Sequence, residues 1–503
     1  MATDNTLIER HEAAIDDATA ELTLDHWIDG AHAEPASGER FETVDPAAAV
    51  PITTVASGTA ADIDDAVEAA SAAADGEWGD TTARERATLI SDWMDVCREH
   101  VDELARLESL DVGKPLAFAR DEVEGALEFF EYYASVAQAS HGEQIPFGTE
   151  NHVYTREEPY GVAGQILPWN YPLSLAGWKV GAALAAGNTV VAKPSEQAPC
   201  TITRLAQLSA DILPDGVFNV VNGFGEDAGA PLTEHSGVDK LSFTGSVPVG
   251  QQVMKAAADD VTPVTLELGG KSPYVVFPDA DLEAAAETAA AGIYYNTGQS
   301  CDACSRILVH EDVADEFTDL FLDAADYWEP GDPLVDGTTM GPLTFADQYE
   351  KVDDYVEIGQ EEGATLLAGG EPPAAEALEE GWFYEPTVFG DVDNDSRLAQ
   401  EEIFGPVQCL ITFESYEEAI ELANDVPYGL ASGVATQDAS LAHRAAADIE
   451  AGSVWINEYH GGGVGIPFGG YKQSGIGREC ARETLGEYTQ TKAINVALDE
   501  PEL

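Results

Sequence analysis

Along the chain, apolar side chains recur every three or four positions over 63–73, 83–107 and 118–137, stretches rich in Ala, Leu and Glu. This spacing predicts amphipathic helices in the first third. The pattern then changes to short β-branched runs over 162–167, 189–192, 217–221 and 240–243, separated by Ala-rich, helix-like segments. Strands alternating with helices predict a parallel α/β sheet. A second alternation, over 272–277, 307–309, 387–389, 407–413, 433–435 and 453–456, predicts a second α/β lobe. The segment 369–381, with Pro372, Pro373 and several glutamates, reads as an exposed loop, and no short-period repeat runs through the chain.

A chain of 503 residues, 44% of them hydrophobic, is long enough for two lobes around a cleft and a large core. The charge balance changes the picture more: 23 Lys+Arg against 93 Asp+Glu leave a formal net charge of -70, spread along the whole length. No basic patch for nucleic acid is present. Self-repulsion on this scale destabilises a compact fold in dilute buffer, but about 1 M salt shortens the Debye length to about 3 Å. The expected setting is a salt-rich cytosol, the alternative being an unusually acidic protein of ordinary habitat. The segment 1–27 carries Asp4, Glu9, Glu12, Asp16 and Asp17 without a basic start or apolar stretch, so no secretory leader is expected. The most apolar segment, 176–192, is interrupted by Lys179, Asn188 and three glycines, which argues against a membrane span and for a soluble, cytoplasmic protein. Six scattered cysteines, at 97, 200, 301, 304, 409 and 480, argue for free thiols.

Two glycine turns follow strands of the first lobe. Gly223-Phe-Gly225-Glu-Asp-Ala-Gly229 resembles a dinucleotide fingerprint with its third glycine one place late, and reads equally well as a tight turn without a ligand. Phe243-Thr-Gly245-Ser246-Val-Pro-Val-Gly250 says more: a small residue, a hydroxyl and free amides at a helix start can hold a pyrophosphate. Lys193-Pro-Ser-Glu196 follows another strand, where an ammonium and a carboxylate can bond ribose hydroxyls.

Tyr295-Asn-Thr-Gly-Gln-Ser-Cys301-Asp-Ala-Cys304-Ser-Arg306 is the most chemically suggestive segment. A cysteine becomes a nucleophile where it is accessible and its thiolate is favoured; an arbitrary cysteine is more often an inert small hydrophobe. A metal-binding Cys-x-x-Cys lacks a partner pair or His cluster here, so no metal is expected.

This segment, with Thr265-Leu-Glu267-Leu-Gly-Gly-Lys-Ser-Pro273, resembles the active-site signatures of the aldehyde dehydrogenase superfamily. Pro168-Trp169-Asn170-Tyr171-Pro172, Lys193-Pro-Ser-Glu196, Phe243-Thr-Gly-Ser246, Gln400-Glu-Glu402-Ile-Phe404-Gly-Pro406 and Pro467-Phe-Gly-Gly-Tyr-Lys-Gln-Ser-Gly475 are similar to further family motifs, in family order, over roughly 22–495. The resemblance implies a Rossmann-like cofactor domain (20–137 and 159–266), a second α/β catalytic domain (267–470) and a small β oligomerisation arm (138–158 and 485–503). It implies that Cys301 attacks an aldehyde, that Asn170 and the Cys301 N–H hold the oxyanion, and that Glu267 activates water against the thioester. Members that pass the acyl group to coenzyme A typically lack that glutamate, so hydrolysis is implied. It further implies NAD, with NADP as the alternative, held by Ile166, Trp169, Lys193, Glu196, Gly225, Gly229, Gly245, Ser246, Glu402 and Phe404. The Glu196 carboxylate disfavours a 2′-phosphate. Lys179 is implied to lie near the oxyanion region, its role left open, and Cys304 to be a bystander.

By the same resemblance Tyr171, Trp178, Tyr295 and Phe468 line the substrate tunnel. Facing aromatics can clasp a trimethylammonium group at about 0.5 to 2 kcal/mol per contact, which suggests betaine aldehyde; they serve a broad aliphatic or aromatic range equally well. A semialdehyde needs a cationic anchor, and the loop 457–470 has no Lys or Arg, only Glu458 and His460, which leaves Arg120 as the candidate. A non-catalytic protein of the same fold would be expected to lack Cys301 or Glu267. The arm implies a homodimer or homotetramer.

Overall fold

The computed structural model describes residues 6–20, 22–461 and 463–498. The first alternating region forms an eight-stranded sheet whose central strands run parallel in the order Phe218–Val220, Thr189–Pro194, Val162–Leu167, Lys240–Thr244, Val264–Glu267. These strands are buried almost throughout, which explains why their sequences read as continuous apolar runs rather than alternating ones. The strand order reverses between Val162–Leu167 and Lys240–Thr244. At such a reversal the following loops diverge and open a crevice at the carboxyl ends, Rossmann fashion. Antiparallel strands close the two edges: His26–Ile28 with Ala31–Ala33 at one, and Gly475–Ile476 at the other, where Gly475 pairs with Glu267.

Helix Pro172–Ala186 begins at the crevice. Pro172 sits in its first turn, where its missing N–H costs nothing, and Gly187 ends it in the left-handed region (φ 105°). It is buried nearly all round, and Gly177 allows close approach to helix Leu116–Ala137: a Cβ there would lie 2.8 Å from the Ala126 carbonyl oxygen. The single helical stretch expected over 83–107 is instead two helices, Ala83–Glu99 and Val101–Val112, parted at His100 (φ -114°, ψ 15°). Both turn their apolar faces inward, so the periodicity runs through the break without registering it. A helix not expected from sequence, Leu7–Thr19, precedes the first sheet, capped reciprocally by Thr6 and Glu9.

The second region forms a seven-stranded sheet in the order Thr365–Ala368, Thr387–Gly390, Val407–Phe413, Arg306–His310, Pro273–Val276, Ala431–Ala435, Ser453–Ile456, parallel except for the first. The loop 369–381 is mostly exposed, with Leu378 buried in one cluster with Leu7 and Phe383. Gln144–Ile145, Asn151–Pro159 and Thr489–Ala497 make a separate three-stranded antiparallel sheet. The last part of the expected arm, 499–503, lies outside the described residues. Among the described residues no helix is long and apolar enough to cross a membrane.

Candidate active site

The segment before Cys301 is held in an unfavourable backbone conformation. Asn296, Thr297 and Gly298 are successively left-handed (φ 52°, 58° and 72°), a region that costs a non-glycine residue about 1 to 2 kcal/mol. Such strain persists only where surroundings over-determine it. Here Thr297 Oγ1 donates to the Gly341 carbonyl at 2.9 Å, and Asn296 Nδ2 donates to the carbonyls of Asn170 at 3.1 Å and Gln299 at 3.2 Å. The Thr344 N–H donates to Gln299 Oε1 at 2.9 Å. At Gly298 a Cβ would lie 2.1 Å from the Gly405 carbonyl oxygen, so only glycine fits. The result presents Cys301 half-buried at the cleft, while Cys304 is fully buried with its thiol donating to the Ala289 carbonyl at 3.3 Å.

Asn170 follows the carboxyl end of strand Val162–Leu167, and its amide donates to the Gln299 carbonyl at 2.9 Å. Tyr171 and Ser300 share a hydroxyl–hydroxyl bond of 2.6 Å. Glu267 ends its strand buried, with neither carboxylate oxygen hydrogen-bonded. Burial first, then the nearby Glu479, push its pKa well above the usual carboxylate range; Lys179 opposes this. Lys179, from helix Pro172–Ala186, is itself buried, paired with Glu479 and donating to Ser242 Oγ at 3.1 Å. Burial likewise pushes the Cys301 thiol well up, followed by the charges of Asp302, Glu267 and Glu402.

Cys301, Asn170 and Glu267 line one cavity of about 850 Å³. Its lining includes Trp169, Gly245, Ser246, Glu402 and Phe404. Ser246 caps helix Val247–Asp260 without a side-chain bond, leaving that helix start open, and Thr244 Oγ1 is buried without a partner. At Gly245 a Cβ would meet Phe243 Cζ at 2.5 Å. Glu402 accepts from the Gly270 N–H at 2.9 Å, and Phe404, left-handed at φ 65°, sets its ring edge-on to Trp169 at 5.3 Å. Ile166, Lys193, Glu196, Gly225 and Gly229 fall outside this lining. Four of them gather together: Ile166 is in register with Lys193, Lys193 Nζ donates to Glu196 at 3.0 Å, and a Cβ on Gly229 would lie 3.8 Å from Ile166 Cδ1, while a Cβ on Gly225 would meet nothing within 4 Å.

The cavity also takes in Tyr171, Trp178, Tyr295 and Phe468, with Trp178 and Phe468 rings 5.4 Å apart. Phe129 and Trp455 join them, neither singled out from sequence: one is ordinary helix core by periodicity, the other the middle of a strand. The sequence reading also missed Asp302, which lines the wall beside the nucleophile and pairs with His460 at 3.4 Å. Against burial, His460 holds the Asp302 carboxyl below its usual range. Arg120, the expected candidate for an anion anchor, does not serve: it is half-exposed, paired with Asp102 and Glu124, and not part of the lining.

The fold that frames this cavity has known counterparts. Residues 32–494 match the model of the aldehyde dehydrogenase family, and the chain belongs to that family. The mitochondrial benzaldehyde dehydrogenase of Antirrhinum majus is 45% identical over 478 residues, covering 94% of this chain and 89% of the relative. Among solved structures, an NAD+ complex of aldehyde dehydrogenase from Bacillus cereus superposes with a TM-score of 0.94 at 44% identity, covering 96% of this chain and 98% of that one. A betaine aldehyde dehydrogenase from Staphylococcus aureus in complex with NAD+ gives 0.95 at 39% identity, covering 98% of each chain.

Proposed function

We propose that this protein oxidises an aldehyde to the carboxylic acid with NAD as acceptor, through a thioester on Cys301. The observation that carries the reading is a single cavity in which Cys301, Asn170 and Glu267 meet the open helix start at Gly245–Ser246 and the Glu402 carboxylate. The thiolate of Cys301 adds to the aldehyde carbon, and the Asn170 amide with the Cys301 N–H stabilises the oxyanion. Bound in the cavity, NAD would supply the acceptor for the hydride lost from this carbon as its carbonyl re-forms. Glu267 then takes a proton from water attacking the thioester carbonyl, and the Cys301 sulfur departs to leave the acid. Burial raises the Glu267 pKa, with Glu479 acting in the same sense and its ion-pair partner Lys179 against it.

The cofactor fits the residues present: the buried unpartnered Thr244 hydroxyl, the uncapped amides of Val247–Asp260 and the small Gly245 suit a pyrophosphate. Trp169 and Phe404 would flank the nicotinamide and Glu402 bind its ribose. Ile166, Lys193, Glu196, Gly225 and Gly229 would take the adenosine end, where the Glu196 carboxylate favours NAD over NADP.

The aromatic wall suits neutral aliphatic or aromatic aldehydes. Relatives named for benzaldehyde and for betaine aldehyde are 45% and 39% identical to this chain, so the side chains are the better guide. Among the described residues, Lys351 is the one Lys or Arg in the lining, and it interacts with Glu402. The lining thus offers little to anchor a carboxylate-bearing aldehyde and adds the acidic Asp302 and Glu458. A trimethylammonium aldehyde is the alternative that Asp302 and the aromatics favour. We assign the protein to a salt-rich cytosol on its net charge of -70, and to a dimer or tetramer on the exposed Phe147, Val496 and Leu498 of the three-stranded arm region. The direct test is Cys301→Ser: NADH formation should cease while NAD binding persists, and retained turnover would refute the mechanism.

A further inference from the structure

A lysine outside the proposed machinery is buried against it. The chain leaves helix Val101–Val112 through the left-handed Gly113 (φ 86°), which directs Lys114 inward, where it is 1% exposed. Its ammonium is bonded to Glu122, from helix Leu116–Ala137, and lies 3.6 Å from Glu108. Placing a cation in so dry a position costs several kcal/mol unless partners compensate, and the two carboxylates supply that compensation. Burial lowers the Lys114 pKa, and Glu108 acts in the opposite sense.

What the ammonium touches on its other side gives the arrangement its meaning. Lys114 Nζ donates to the Asn170 carbonyl at 3.3 Å and sits 4.1 Å from the centroid of the Tyr171 ring. The same Asn170 carbonyl accepts from Asn296 Nδ2 at 3.1 Å. One oxygen thus receives a donor from the first lobe and a donor from the strained turn that carries Cys301. Tyr171 in turn bonds Ser300, the residue before the nucleophile. Glu122 completes the circuit, since its other oxygen accepts from the Ser174 N–H at 3.2 Å, in the first turn of the helix that follows Asn170.

We propose that Lys114 is a positioning residue for the oxyanion site: clamped by Glu122 and Glu108, it fixes the Asn170 backbone and the Tyr171 ring, and so aims the Asn170 amide at the oxygen of the tetrahedral intermediate. This rests on the reading of Asn170 given above. Displacing a preorganised donor by an ångström forfeits much of its effect, up to about a hundredfold in rate, whereas the nucleophilicity of the cysteine does not depend on that donor.

The test uses the full-length protein in Lys114→Met, Asn170→Ala and the double variant. It measures kcat at saturating propanal and NAD, the NAD dissociation constant, and the rate of Cys301 alkylation by iodoacetamide, a reaction that forms no oxyanion. Lys114→Met should lower kcat on the order of 10- to 100-fold, with alkylation and NAD binding within about twofold, and should cost little more in the Asn170→Ala background. A kcat unchanged within twofold, multiplicative losses in the double variant, or a parallel fall in alkylation overturns the proposal. Full activity in Asn170→Ala would instead overturn the underlying role of Asn170. Should Lys114→Met not fold, Glu122→Gln keeps an oxygen for Ser174 while loosening the ammonium; it must show the same pattern in milder form, and wild-type kcat there also overturns the proposal.

Discussion

Asp302 directly follows Cys301, and its carboxylate pairs with His460 at 3.4 Å in the wall of the substrate cavity. The ring of His460 is brought there by a left-handed backbone (φ 55°), and Tyr459 donates its hydroxyl to the Asp302 carbonyl at 2.7 Å. The Asp302 carboxylate is the negative half of this pair, so removing its charge makes the cavity more favourable to an anionic substrate and less favourable to a cationic one. Asp302→Asn should raise kcat/KM for succinic semialdehyde relative to propanal on the order of tenfold, equivalent to about 1.4 kcal/mol, and lower it for betaine aldehyde. Unchanged ratios would remove Asp302 from specificity.

Cys301 in the protein without NAD should be a sluggish nucleophile. Burial and three neighbouring carboxylates raise its pKa well above the ordinary thiol range, so the thiol form predominates at neutral pH and the thiolate grows about tenfold per pH unit. Its alkylation by iodoacetamide should keep rising through pH 9. A plateau near pH 8 or below would contradict this electrostatic picture.

The parallel strands and the signature motifs were legible because each rests on a local pattern: 162–167, 407–413 and 453–456 coincide with their observed strands. The break at His100 was not, since two helices packed on one core share a phase. Nor were the partners of the site. Glu479 and Lys114 reach Lys179 and Asn170 only through the fold, and among 93 acidic residues a single buried glutamate carries no mark of its burial. Helix Leu7–Thr19 lay hidden because a mostly polar segment hides its three buried residues, Leu7, His11 and Ile15.

That helix supplies a pH-dependent prediction. His11 is fully buried between Asp45 and Asp332, 3.0 Å from Asp332 through Nε2, and Arg10 also bonds Asp332. Burial alone would lower its pKa, but the two carboxylates outweigh it and raise it to about 9. A raised pKa means the stabilisation is complete below the unfolded value near 6.5 and is lost as pH rises through about 9. Thermal melting should therefore weaken over that window. His11→Asn, which leaves the fully buried Asp45 carboxylate without its cation while Asp332 keeps Arg10, should cost about 3 to 5 kcal/mol at pH 6 and much less at pH 10. Equal losses at both would count against an imidazolium clamp.

Glu267 offers a way to hold the covalent intermediate. Glu267→Gln keeps the shape of the side chain but cannot take a proton from water, so the thioester should accumulate. Intact-protein and peptide mass spectrometry after mixing this variant with NAD and propanal should find the mass of the aldehyde less two hydrogens on Cys301 alone. An unmodified Cys301 alongside an NADH burst, or the adduct on another cysteine, would contradict the account.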